Sequence, residues 1–240
     1  MEWATISERG DREINEDSLG VFHNGDRHIF MVADGLGGHG SGDTASSLAV
    51  KAFKETLAEK AEPLPLLMSS AFLKAQASIL AEQKRSGCFF QMKTTACALA
   101  VDQGHAMWSH IGDSRVYVFS HNRIKKRTLD HSVPQMLVLA HEIREKDIRE
   151  HPDRNKLLRV LGISGDTPGF ELSELQELRK IQAFLLCSDG FWEYILEKEM
   201  CALLKKSSSV EEWLQLMQET VEGRGRGKEM DNYSAVAIWT

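Results

Sequence analysis

Hydrophobic and polar positions alternate along this chain in two blocks of strand-like runs, with helical patterns between and after them. Trp3–Ser7, Leu19–Asn24 and Ile29–Ala33 form the first block, and Asn24-Gly25 supplies a hairpin signal between the last two. Apolar residues at helical spacing follow. Leu48, Ala49, Ala52, Phe53 and Leu57 mark one helix and Met68, Ala71, Phe72, Ala75 and Ile79 a second, with Pro63 and Pro65 between them. The second block is a meander of Thr95–Val101, Ala106–Ile111, Val116–Ser120 and Ile124–Thr128, with turns at Gln103-Gly104, Asp113-Ser114 and Asn122. In its first strand Ala96, Ala98 and Ala100 alternate with Thr95, Cys97, Leu99 and Val101, so one face is small and the other bulky. Residues 130–165 are polar and partly helical and read as a mobile, flap-like insertion. Phe184–Cys187 and Ala235–Ile238 return to buried strands, around a helix carrying Val210, Trp213, Leu214, Met217 and Val221 on one face. Short loops between neighbouring strands favour antiparallel pairing. Strands grouped apart from helices predict an α+β fold, a layered sandwich of two sheets flanked by helices.

Composition changes this picture little but excludes some functions. A chain of 240 residues with 42% hydrophobic and 27% charged residues is ordinary for a globular protein. Its net charge of −6 argues against a nucleic-acid partner held by phosphate neutralisation. No apolar run is expected to reach the ~20 residues of a membrane span. Met1-Glu2-Trp3 lacks the basic-then-apolar layout of a signal peptide, so a cytoplasmic location is expected, and the absence of heptads favours a monomer. Cys88, Cys97, Cys187 and Cys201 show no C-x-x-C spacing and read as reduced thiols. The residues six positions after them are Thr94, Gln103, Glu193 and Ser207, so the C-x₅-R motif of a thiolate phosphatase is missing.

The chemistry lies in acidic motifs that follow or precede buried runs: Val32-Ala33-Asp34-Gly35, Ile111-Gly112-Asp113-Ser114-Arg115, Leu186-Cys187-Ser188-Asp189-Gly190 and Met230-Asp231-Asn232-Tyr233-Ser234, with Arg12-Glu13-Ile14-Asn15-Glu16-Asp17 adding an arginine and two more carboxylates. An aspartate at the end of a buried strand is costly unless something neutralises it. Several gathered at one sheet edge would form a cage of hard oxygen ligands suited to Mg²⁺ or Mn²⁺. Because these motifs come from both halves of the chain and must meet, residues 1–240 are expected to form one domain. Gly35-Leu36-Gly37-Gly38-His39-Gly40 matches the dinucleotide fingerprint literally. Asp34 would repel a pyrophosphate there, the preceding strands read as a hairpin rather than βαβ, and the expected acid ~20 residues on would fall in a helix. A Walker loop fails as well, since Gly227-Lys228 is followed by Glu229.

With these motifs in place, the sequence resembles the metal-dependent Ser/Thr protein phosphatases of type 2C, in their short bacterial form. The matching stretches run in family order from Gly10 to Thr240: Gly10-x-Arg12-x-x-Asn15-Glu16-Asp17, Asp34-Gly35-Leu36-Gly37-Gly38-His39, Thr94-Thr95, Gly112 to Tyr117, Asp130-His131-Ser132, His151-Pro152-x-Arg154-Asn155, Ser188-Asp189-Gly190 and Asp231 to Ser234. The resemblance implies a four-layer αββα sandwich with a two-metal Mn²⁺ or Mg²⁺ site at one end. Asp34 would bridge the metals, the Gly35 carbonyl would hold one, and Asp189 and Asp231 the other. Glu16 and Asp17 would orient bound waters, Asp113 would help hold a third, weaker ion, and Arg12 would clamp the substrate phosphate. The implied reaction is hydrolysis of phosphoserine or phosphothreonine by a metal-bridging hydroxide, with a Ser/Thr kinase and its targets as the natural clients. A pseudophosphatase that only binds and a two-metal nuclease are the rival readings. Leu36 stands where many eukaryotic members carry a histidine proposed as general acid, and His39 is a nearby candidate. Asp43 replaces a glutamate, Lys93 a glycine before Thr94, and His141 a glycine in the flap.

Overall fold

A computed structural model describes residues 1–37, 41–59, 62–88, 91–165 and 167–240. His39 therefore lies outside the described residues. The strands are β1 (Glu2–Glu8), β2 (Ser18–Asn24), β3 (Arg27–Ala33), β4 (Gly35–Leu36), β5 (Lys93–Thr94), β6 (Ala96–Asp102), β7 (His105–Ile111), β8 (Arg115–Ser120), β9 (Arg123–Arg127), β10 (Glu171–Leu172), β11 (Gln176–Glu177), β12 (Ala183–Cys187) and β13 (Tyr233–Trp239). The helices are α1 (Ser41–Glu59), α2 (Leu64–Ser86), α3 (Val133–Leu139), α4 (Asp189–Trp192), α5 (Glu197–Lys206) and α6 (Val210–Gly225).

Two antiparallel sheets form the centre, one in the order β1-β13-β12-β8-β9 and the other β10-β7-β6-β3-β2, with β11 also on β7. The alternation along each strand sorts side chains into three apolar layers. From β3, β6, β12 and β13, residues Phe30, Val32, Leu99, Phe184, Leu186 and Val236 fill the space between the sheets. Ala96, Ala98 and Ala100 face the other way, against Phe53 of α1 and Phe72 of α2. The small face of β6 thus lets two helices approach the sheet closely. On the opposite outer face Tyr117, Phe119, Leu185 and Ala235 pack against Trp213 and Met217 of α6. The result is the αββα sandwich expected from the strand pattern.

The hairpins follow local backbone rules. Gln103-Gly104 and His121-Asn122 both take positive φ at each residue, as the type I′ turn requires. Between β2 and β3 the loop residues are Gly25-Asp26, one position later than the sequence signal, because Asn24 still pairs with Arg27. The two-residue strands β4, β5, β10 and β11 and the short helix α4 carry too little periodicity to be read from sequence.

The expectation about apolar length is corrected at α2, whose 23 residues are long and apolar enough to cross a membrane by length and composition. In the fold it is a core helix with two inward amides. Gln76 donates to the Ile163 carbonyl at 2.7 Å and accepts from the Gly162 N–H at 2.8 Å, and Gln83 donates to the Met92 and Gly162 carbonyls, each at 2.7 Å.

Candidate active site

Antiparallel register carries every acidic motif to one end of the sandwich. Ser18, just after Asp17, pairs with Ala33, just before Asp34. Ala96 pairs with Ile111, which leads into Asp113. Cys187, which leads into Asp189, pairs with Arg115 on one side and with Ala235 on the other, beside Asp231. Asp34, Asp113, Asp189, Asp231, Glu16 and Arg12 all line one cavity of ≈ 570 Å³, together with the Gly35 backbone. Asp17 lies behind them, buried, receiving the Ser188 hydroxyl on Oδ2 at 2.8 Å.

Backbone ties hold these side chains. The Asp34 carbonyl accepts the Thr95 N–H at 2.9 Å and the Thr94 hydroxyl at 2.8 Å. Thr95 Oγ1 accepts the Asp34 N–H at 3.2 Å and contacts Ser114 Oγ at 2.7 Å, coupling the Asp34 strand end to the Asp113 turn. Asn232 fastens the Arg12 loop: its side-chain N–H groups donate to the carbonyls of Arg9 at 2.8 Å and Ile14 at 3.0 Å, and its Oδ1 accepts the Glu16 N–H at 2.8 Å. The N–H of Gly42, in the first turn of α1, donates to Glu16 Oε1 at 3.2 Å. Glycine at 35 is required by close approach rather than by a turn. A Cβ there would stand 2.3 Å from the Gly42 carbonyl oxygen and 2.5 Å from that of Glu16.

The electrostatics are those of crowded carboxylates. Burial, then the neighbouring acids, raises the pKa of Asp34 and of Asp113 well above the ordinary 3.8. Burial pushes Asp17 up to about 7 and Asp189 to about 6, and raises Glu16. Asp34 and Asp189 line the same cavity, and the charge of Asp189 adds to burial in raising Asp34, so a cation between them would relieve both. Arg12 donates from Nη2 to Asp231 Oδ2 at 2.8 Å but is 59% exposed. Arg154 pairs with Glu193 and lies within electrostatic reach of Asp189 and Asp113. Two arginines do not balance this many acids, and Asp17 Oδ1 is buried with no hydrogen-bond partner among the described residues. An all-oxygen donor set with an orphaned carboxylate oxygen fits hard divalent cations.

A second group, His110, His131 and Glu171, brings three ligand atoms within 4.8 Å of one another. Its hydrogen bonding opposes a metal there. Gly112 N–H donates to His131 Nδ1 at 3.2 Å, which places the single proton of the neutral ring on Nε2. That nitrogen faces Glu171 Oε1 at 3.2 Å and has no lone pair to offer. His131 instead anchors the segment after β9: its own N–H donates to the Gly112 carbonyl at 2.9 Å and its carbonyl accepts the Leu158 N–H at 2.7 Å. His151 Nδ1 likewise accepts the Asp153 N–H at 3.1 Å, a local loop contact.

Several positioning residues gave no signal of their role in the sequence. Arg115 is buried and forms a bidentate pair with Asp130, through Nε at 2.8 Å and Nη2 at 2.6 Å. Its guanidinium carbon lies 3.5 Å from the centre of a Trp192 ring, whose Nε1–H donates to the Asp113 carbonyl at 2.9 Å. Arg149 caps the end of α4 by donating to the Trp192 carbonyl at 3.2 Å and the Ile195 carbonyl at 3.1 Å. The 130–165 segment contains α3 and a 3-10 turn at Glu145–Asp147, and it is joined to the sandwich through these pairs. At the end of α3, His141 takes φ +61° while the Glu142 N–H donates to the Leu137 carbonyl at 2.9 Å, the helix-ending geometry that favours glycine.

An αββα sandwich with an acidic, cation-seeking cavity at one end defines the class of metal-dependent phosphatases. The sequence profile of Protein phosphatase 2C matches residues 7–233, and the chain belongs to that family. The serine/threonine phosphatase stp of Listeria welshimeri serovar 6b is 34% identical over 207 residues, which are 84% of this chain and 81% of that protein. Among solved structures, the serine/threonine phosphatase Stp1 from Staphylococcus aureus superposes with a TM-score of 0.89 at 25% identity, covering 100% of this chain and 94% of that one. The catalytic domain of the protein phosphatase PstP in complex with two manganese ions shares the fold at a TM-score of 0.79 and 24% identity, covering 98% and 96% of the two chains.

Proposed function

We propose that this protein hydrolyses phosphoserine and phosphothreonine in proteins with the help of divalent cations held by Asp34, the Gly35 carbonyl, Asp189 and Asp231. The observation that carries the reading is the convergence of Asp34, Asp113, Asp189, Asp231 and Glu16 on one cavity whose lining includes a single arginine, Arg12, among the described residues. Bound there, Mn²⁺ or Mg²⁺ would lower the pKa of a coordinated water and offset charge on the phosphoryl oxygens. Glu16, in the cavity wall, and Asp17, behind it, would orient water bound to the ions, and Asp113, also in the wall, would help hold a third ion. Arg12 uses one nitrogen on Asp231 and keeps its others for the substrate phosphate, where a planar fork of donors suits a tetrahedral oxyanion. Leu36 lines the same cavity and can neither hold nor release a proton, so no side chain at that position serves as general acid. We further infer that residues 1–240 act as one catalytic domain and that the 130–165 segment forms a flap beside the cavity, supported by Asn155 and Leu157 in its wall. The protein is read as cytoplasmic and monomeric, with a Ser/Thr kinase and its targets as clients.

Phosphate release from a phosphothreonine peptide tests this reading. Release with Mn²⁺ that stops in excess EDTA is expected, whereas no release by the folded protein with any divalent cation would make it a binding protein instead.

A further inference from the structure

The catalytic cavity does not end at Leu36. A second cavity of ≈ 430 Å³ shares Leu36, Gly37, Asn155 and Leu157 with it and runs on to Lys93, Val160 and Ile163. A phosphorylated side chain fills only the first, and each further residue of an extended peptide adds about 3.3 Å, so the chain flanking it must cross one of the walls. The second cavity offers such a path. At the seam, Asn155 Oδ1 accepts from Arg154 Nε at 3.1 Å, which leaves the amide N–H₂ to donate to a peptide carbonyl. Ile163, 46% exposed, supplies an apolar floor.

Lys93 gives this path its sign. Its backbone is fixed by pairing with Leu36 in the β4–β5 ladder, and its side chain is half-buried. It makes no ion pair among the described residues, in a protein whose net charge is −6 and whose neighbouring cavity is walled by acids. A half-buried lysine without a carboxylate is a vacant partner for one. We propose that the second cavity receives the residues flanking the phosphorylated one and that Lys93 selects substrates with an acidic side chain there. The inference rests on the phosphatase reading of the site and adds the substrate class.

The test compares phosphothreonine peptides that differ only in carrying Asp or Lys within three positions of the phosphoresidue, with p-nitrophenyl phosphate as a substrate that has no flanking residues. The wild-type protein with Mn²⁺ is expected to favour the acidic peptide roughly fivefold in kcat/KM, the scale of a partly exposed ion pair. Lys93→Glu should invert that ratio, and Lys93→Met should bring it near one. Raising the salt concentration should shrink it in the wild type. Equal rates on the two peptides in the wild type, or a preference that survives Lys93→Glu, would overturn the inference while hydrolysis of p-nitrophenyl phosphate leaves the phosphatase reading standing. Hydrolysis of neither kind of substrate by the wild type would remove both.

Discussion

Asp34→Asn is expected to lower kcat by about 10³-fold and to raise, not lower, the melting temperature of the metal-free protein. The activity loss follows from removing the carboxylate at the centre of the cavity wall. The stability gain follows from the sign of its pKa shift. Burial and the acids around it hold Asp34 well above 3.8, so the folded state binds the proton more tightly than the unfolded one. Such a group makes the metal-free protein lose stability as pH rises from its unfolded value through its folded one. Asparagine keeps the shape, removes the charge and abolishes that loss, so melting near pH 7.5 should shift up by roughly 3 °C. Near wild-type turnover would mean that Asp34 is not a metal ligand, and a lower melting temperature that it is not strained by its neighbours.

Arg115→Leu should be the most destabilising single change near the site, at about 3–5 kcal/mol, because it leaves Asp130 charged and buried without a partner. For a chain of this size that is a melting shift of roughly 10–15 °C. The double variant Arg115→Leu with Asp130→Leu should lose less than the two single losses combined, since neither charge is stranded. Activity should fall with Arg115→Leu as well. Arg115 packs on Trp192, Trp192 holds the Asp113 carbonyl, and Asp130 begins the segment that supplies Asn155 and Leu157 to the cavity. Strictly additive losses in the double-mutant cycle would show that the pair is not coupled.

The contrast between Asp34 and Arg115 marks what the chain revealed before its structure. Asp34, Asp113, Asp189 and Asp231 were legible because each sits where a buried run stops or starts, and antiparallel strands bring such ends together. The alternation of alanine with larger residues in β6 likewise announced one small and one bulky face, and the structure sets the first against helices and the second against the opposite sheet. Arg115 lay inside a quoted motif, yet its partners Asp130 and Trp192 are distant in sequence, and no local pattern announces a buried ion pair. The same holds for Asn232, which ties the loop of residues 9–16 to the start of β13 across more than 200 residues. Gly35 stood inside a legible motif, but what excludes a side chain there, the backbone of Gly42 crowding its Cα, is a packing contact that no local pattern announces. At His141 the substitution of an expected glycine was visible, while the left-handed backbone it must adopt was not.

The most direct test of the central claim is a calorimetric titration of the metal-free protein with Mn²⁺ at pH 7.5 and pH 5.5. Two ions are expected to bind at pH 7.5 with release of protons, because Asp189, raised to about 6, and Asp34, raised well above its ordinary value, must give up protons to hold a cation, and Asp17, raised to about 7, must give up its own to accept a hydrogen bond from bound water. At pH 5.5 those protons compete, and the apparent affinity should fall by roughly tenfold or more. Affinity that is the same at both pH values, or binding of no ion at all, would contradict the assignment of these carboxylates as a metal cage.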